Sequence, residues 1–227
     1  MNALFPGEKE FRNRNERMEV TQTWSSTQLD WKAKVVCEPC NNGWMSNIES
    51  QHALPAMTDL IAGKLDIPIA QSRADSIALF AFKTAVIVEH LKRNQPARFF
   101  PRSVRHRFRE TLEIPHNVRM WFAGFLPPGK GRCITLYYTV PTAHGIELYV
   151  CNYVVGRLVF QVVAEKGPSS LTLVPIRELD QFAVPLWPSI PPNFIWPPLV
   201  LLKTVEEFRA FAERWSRLDI FNITGGH

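Results

Sequence analysis

Between positions 118 and 165 the chain carries four stretches crowded with Val, Ile, Tyr, Phe and Trp, at 118–126, 132–140, 147–155 and 157–165. Such residues suit a pleated, half-buried surface. Pro127-Pro128-Gly129-Lys130-Gly131, residues 141–145 and Gly156 separate them, which predicts a four-stranded antiparallel meander. The tight Val155-Gly156-Arg157 connection suits a hairpin. Helical spacing dominates the chain before this run. Over 73–93, Ile77, Phe80, Ala81, Thr84, Ile87, Val88 and Leu91 mark one face, and Leu79, Phe82 and Val86 cover much of the rest. A helix apolar nearly all round is a buried central helix. A second helix is expected over 101–112, with Pro101 in its first turn and Pro115 beyond its end. A last one is expected over 205–218, capped by Thr204 with Glu206 and Glu207 in its first turn. Helices first and strands later define an α+β class, with a helical layer, the meander and a C-terminal helix.

The 227 residues suffice for one large domain or two small ones. Four cysteines are too few for a disulfide scaffold. No charged segment followed by an apolar one marks a signal peptide, and 77–91 carries Lys83, Glu89 and His90 and is too short to span a bilayer. The expectation is a soluble cytoplasmic protein with reduced cysteines and no membrane partner. A net charge of +5 permits a nucleic-acid partner without requiring one. Prolines gather in 168–198, which predicts an extended, loop-rich wrap before the last helix. Three segments follow: an irregular basic N-terminus at 1–28, a cysteine knuckle with helices at 29–64, and the helical layer, sheet and C-terminal helix at 65–227. The last two could equally form one compact domain.

The sharpest motif is Cys37-Glu38-Pro39-Cys40-Asn41-Asn42-Gly43-Trp44-Met45-Ser46. A two-residue spacer lets two thiolates reach one Zn²⁺ from a tight turn, although zinc prefers four tetrahedral ligands. A strand over 29–37 should lead into this knuckle. A short helix over 44–53 should leave it, followed by another that begins near Pro55, runs to 62 and stops at Gly63. Redox chemistry is disfavoured, because no thioredoxin-like βαβ pattern surrounds the pair.

With Glu49 beyond it, this motif resembles a bacterial family of HNH endonucleases and HNH-like proteins. Phe80-Ala81-Phe82-Lys83-Thr84-Ala85 with Glu89, and Ile195-Trp196-Pro197-Pro198, are similar to that family as well, so the resemblance covers most of 30–215. It implies a treble-clef unit in which four cysteines, two of them matching Cys37 and Cys40, hold a structural zinc. It also implies a histidine that activates water and a residue at the helix start that helps hold a catalytic Mg²⁺. Here no cysteine or histidine precedes Cys37, and the helix-start positions are Asn41 and Asn42. A carboxamide can ligate a hard cation but cannot act as a base. Against the family the chain reads as shortened at its N-terminus. The expectation is weak or no zinc binding, Mg²⁺ only in an active enzyme, and an inactive chain, with endonuclease activity kept as an alternative.

Other residues are candidates for the same roles. Cys133 and Cys151 fall in expected strands and read as small buried hydrophobes; His52, on the helix after the knuckle, reads as an ordinary surface or core histidine. Arg102, Arg105, His106 and Arg109 share one side of a helix and could neutralise phosphates, with Val104, Phe108 and Leu112 buried opposite. Arg12, Arg14 and Arg17 could extend such an arm. Lys83, on the buried helix, either snorkels to solvent or pairs with a carboxylate, with Glu89 and Asp75 as candidates. Trp44, Trp121, Trp187, Trp196 and Trp215 are spread out, as core anchors are. Three functional readings stand: an HNH-endonuclease-like protein that contacts nucleic acid without cutting it, a non-catalytic module that binds a protein or small ligand and uses the knuckle only to seat Trp44, and a metal-dependent endonuclease whose catalytic residues lie upstream.

Overall fold

The first regular structure falls in the segment expected to be irregular. The computed structural model describes residues 9–14, 20–26, 36–90, 98–126, 135–141, 147–167 and 181–215. Strands β1 (Lys9–Arg14) and β2 (Val20–Ser26) pair antiparallel, from Lys9 opposite Ser26 to Arg14 opposite Val20. The ladder satisfies backbone groups whatever the side chains, and Val20, Thr21, Thr23 and Trp24 favour it. Arg12 and Arg14 lie on β1, while Arg17 is outside the described residues. Residues 1–34 form one unit and 35–227 another, so the knuckle belongs to the same unit as the large sheet.

Of the expected strand over 29–37, only Val36 and Cys37 are described, and they bend into a helical run. That run opens as α1 (Glu38–Cys40), continues through π-helical turns at Asn41–Met45 and Ile48–Ala53, and ends as α2 (Leu54–Ile61). The two helices expected here are thus one run with a kink at Gly43 (φ −94, ψ −114). Pro55 has no N–H to give the turn before it, and the widened turn over Ile48–Ala53 precedes it directly. Gly63, at φ +77, ends the run as expected. A short strand β3 (Ile67–Pro68) leads to α3 (Gln71–Glu89), the longest helix, with Ile77, Phe80, Ala81, Phe82, Val86 and Val88 buried. Next comes α4 (Arg102–Thr111), which starts after Pro101 and ends at Leu112 in the left-handed region.

The four expected strands are present as β4 (Val118–Phe125), β5 (Thr135–Pro141), β6 (Glu147–Val155) and β7 (Leu158–Lys166). Gly156, at φ +61, turns β6 into β7, where Val155 faces Leu158. Neighbours are antiparallel, but the order is β4-β7-β6-β5. The first strand therefore lies beside the fourth, giving a Greek key in place of the expected meander. Burial explains the order: β4, β6 and β7 are buried on both faces and take the centre, while half-buried β5 takes the edge.

After 168–180, which lie outside the described residues, the proline-rich wrap supplies three short strands. They are β8 (Val184–Trp187) on β4, β9 (Ile195–Trp196) on β3 and β10 (Leu201–Leu202) parallel to β4; of these, β8 and β10 bring the large sheet to six strands. The last helix is α5 (Val205–Ala212), shorter than expected. Its Thr204 cap accepts from the Glu207 N–H, and Glu207 reaches back to the Thr204 N–H.

The sheet lies between two helical layers. On one face Trp121, Ala123, Phe125, Leu148, Val150, Val159 and Val163 meet Phe208, Phe211 and Trp215. On the other, Phe80 of α3 meets Tyr153 and Phe160 edge-on, and the Tyr149 hydroxyl donates to the Ala85 carbonyl at 2.8 Å. The far side of α3 carries the knuckle and α4: Phe82 stacks edge-on against Phe108 (4.7 Å) and Phe100 (5.3 Å). Trp121, Trp196 and Trp215 are core anchors, while Trp44 and Trp187 are half-buried. No helix among the described residues is long and apolar enough to cross a membrane.

Candidate functional site

Cys37 caps α1 in an extended conformation, and its carbonyl accepts the N–H groups of Cys40 (3.1 Å) and Asn41 (3.0 Å). This tight turn presents the two thiols together, Cys37 exposed and Cys40 half-buried. Hydrogen bonds from Cys40 hold the Cys37 thiol below its ordinary range, with a smaller contribution from the Arg109 charge. Asn41 and Asn42 are exposed, and their side chains bond to each other at 3.3 Å. Met45 is buried, and the Trp44 ring stands edge-on to Phe108 at 5.8 Å.

The zinc site implied by the resemblance is not completed by these residues. Among the described residues no three His, Cys, Asp or Glu side chains stand close enough to share a metal ion. Cys37 and Cys40 could fill at most two of the four tetrahedral positions zinc prefers. His52 is half-buried and belongs to no such group among the described residues. Cys151 is wholly buried in β6, where burial pushes its thiol up to about 12. Cys133 lies outside the described residues.

Between the knuckle, α3 and α4 lies a half-open pocket of about 210 Å³. Lys83, Val86, Ile87 and His90 of α3 line it, at the i, i+3, i+4 and i+7 positions of one helix face; Cys37, Cys40, Trp44, Arg105 and Phe108 complete it. Lys83 is 3% exposed and binds the carboxylate of Glu49, not Glu89 or Asp75. Burial lowers its pKa, and the Glu49 charge opposes that shift. Glu89 is buried with its oxygens on the N–H groups of Phe99 and Phe100, and Asp75 accepts from Gln71. Each candidate carboxylate was therefore engaged elsewhere. His90 Nδ1 lies 2.9 Å from the Val86 carbonyl, which can only accept, so this nitrogen carries the proton. Nε2 then accepts from Arg105 Nη1 at 2.7 Å. Both ring nitrogens are occupied, and His90 is held as the neutral tautomer.

The arginines of α4 divide three ways. Arg105 is half-buried and turned into the pocket, so it leaves the surface stripe in which it was expected. Arg107 is neutralised by Glu113 at 2.9 Å. Arg102 and Arg109 are exposed, with His106 between them bonded to Arg102 Nε at 3.2 Å. Among the described residues neither Arg102 nor Arg109 meets a carboxylate. The pocket's His90 and the Lys83–Glu49 pair escaped the sequence reading, although the spacing of Lys83, Val86, Ile87 and His90 on one helix face was there to be read.

Fold and site together define an α+β protein in which a cysteine-pair turn and a basic helix close a pocket on the central helix. Comparison with protein-family models, with curated proteins and with solved structures returns no match.

Proposed function

We propose that the chain binds the phosphate backbone of a nucleic acid along the exposed face of α4, on an HNH-endonuclease-like scaffold. The observation that supports this reading is the row Arg102, His106 and Arg109, at i, i+4 and i+7, whose two arginines meet no carboxylate among the described residues while Arg107 beside them does. Exposed guanidinium groups with no carboxylate partner are suited to phosphate oxygens. Hydrolysis forms no part of the proposal, since Asn41 and Asn42 at the helix start are amides that cannot take a proton from water.

Fluorescence anisotropy with a labelled duplex, titrated at several salt concentrations, tests it. Each neutralised phosphate contributes about −0.9 to the slope of log affinity against log salt. Replacing Arg102 and Arg109 together by alanine is expected to make the slope shallower by about 2. An unchanged slope, or no binding by the unaltered chain, rejects the reading. Incubation of a plasmid with Mg²⁺ or Mn²⁺ tests the endonuclease alternative: cleavage abolished by Asn41→Ala or Asn42→Ala would replace simple binding.

A further inference from the structure

Two buried N–H groups lack an acceptor in the same place. The indole Nε1 of Trp44 and the guanidinium Nε of Arg105 have no hydrogen-bond partner among the described residues, and both side chains line the pocket beside the cysteine pair. Buried donors are nearly always satisfied, and an unpaired one costs free energy that an acceptor entering the pocket would recover. The pocket, about 210 Å³, has room for a small organic molecule.

Charge defines that acceptor further. Glu49 offsets Lys83, and His90 is neutral because Nδ1 donates to Val86 and Nε2 accepts from Arg105. Arg105 meets no carboxylate among the described residues, so the lining carries one uncompensated positive charge. Besides the thiols of Cys37 and Cys40 at one side, the remaining walls are apolar: Val36, Met45, Val86, Ile87 and Phe108. A strongly hydrated dianion would gain little from such walls, whereas a hydrocarbon body would be desolvated by them. We propose that this pocket binds a small organic monocarboxylate, with its carboxylate on Trp44 Nε1 and Arg105 Nε and its hydrocarbon part against Val86, Ile87 and Phe108. This site is independent of the α4 surface row, because Arg105 faces inward.

Ligand-observed NMR and calorimetry on the full chain, with hexanoate, hexan-1-ol and inorganic phosphate as probes, decide the matter. Trp44→Phe removes the N–H while keeping a ring against Phe108; Arg105→Met removes the charge while keeping length. Circular dichroism checks that each variant folds. Saturable hexanoate binding is expected, about tenfold tighter than hexan-1-ol and weakened about tenfold in either variant. Equal binding of hexanoate and hexan-1-ol, undiminished binding in both variants, or displacement of hexanoate by an equal concentration of phosphate overturns the proposal. Failure of the unaltered chain to bind hexanoate also overturns it and leaves water as the acceptor of the two N–H groups.

Discussion

Lys83, 3% exposed in the middle of α3, is neutralised by Glu49, which is 49% exposed on the helical run after the cysteine pair. The cation has left water and its counter-ion largely has not. Burial accordingly outweighs the attraction of Glu49 and lowers the Lys83 pKa. The Phe80 ring, 5.0 Å from Nζ, adds a second favourable contact.

This imbalance predicts opposite outcomes for the two partners. Glu49→Gln strands a buried ammonium and should cost about 1–3 kcal/mol, less than for a fully buried pair because Glu49 is half in solvent. Lys83→Met keeps the volume and leaves only a solvated carboxylate, so it should be neutral or stabilising. Urea midpoints measure both. The pH sign follows from the lowered pKa: between the folded value and the ordinary 10.5, the unfolded chain binds the extra proton and stability rises with pH. The advantage of Lys83→Met over the unaltered chain should therefore shrink as pH climbs through that window.

Gln161 governs the other side of the sheet. Its carbonyl oxygen accepts from Arg214 Nε and Trp215 Nε1, both at 2.7 Å, and its amide donates to Asn152 Oδ1 and the Phe211 carbonyl. Arg214 is buried among the rings of Trp121, Phe211 and Trp215. Gln161→Met removes one acceptor from this buried cation and from the Trp215 N–H and should cost about 2–4 kcal/mol. Hydrogen exchange should show α5 losing protection ahead of β6 and β7.

The cysteines should separate by reactivity. Cys37 is exposed, and its thiol is held below the ordinary 9.0, whereas Cys151 is buried with its thiol raised to about 12. Iodoacetamide at pH 7.5 should label Cys37 rapidly and leave Cys151 unmodified until denaturant is added, as read by peptide mass mapping. Cys40→Ala removes the side-chain hydrogen bond that lowers Cys37 and should move its alkylation midpoint to higher pH.

Glu89 ties the end of α3 to the entry of α4 by accepting the N–H groups of Phe99 and Phe100. Glu89→Leu leaves both without an acceptor and should cost about 2–4 kcal/mol by urea denaturation, while Glu89→Gln, which keeps one acceptor oxygen, should cost less.

Local chemistry carried the elements that were legible in the sequence. Val, Tyr and Phe in runs marked β4 to β7, Gly156 marked the β6–β7 hairpin, and Thr204 with Glu207 marked the start of α5. What stayed hidden depended on distant partners. Residues in β4 are buried on both faces, so alternation could not tell which strand it would join. Lys83 announced its need for a carboxylate, yet Glu49 lies 34 residues away, and the nearer Glu89 is held by backbone N–H groups. Arg102, Arg105 and Arg109 look alike on a helical wheel; the acceptor nitrogen of His90 draws the middle one inside. The β1–β2 ladder rests on backbone pairing, to which a charged, non-alternating segment such as Lys9–Arg14 gives little clue.

The Greek-key order has a consequence for the newborn chain. About 33 residues separate Phe125, the end of β4, from Leu158, where its central partner begins. At synthesis rates of roughly 5–20 residues per second, β4 waits about 2–7 s for that partner to be made. Throughout that interval Met120, Trp121, Phe122 and Phe125, all buried in the finished protein, have no sheet to enter. A strand buried on both faces of the finished sheet is thus open to a chaperone, or to another nascent chain, while it is being translated.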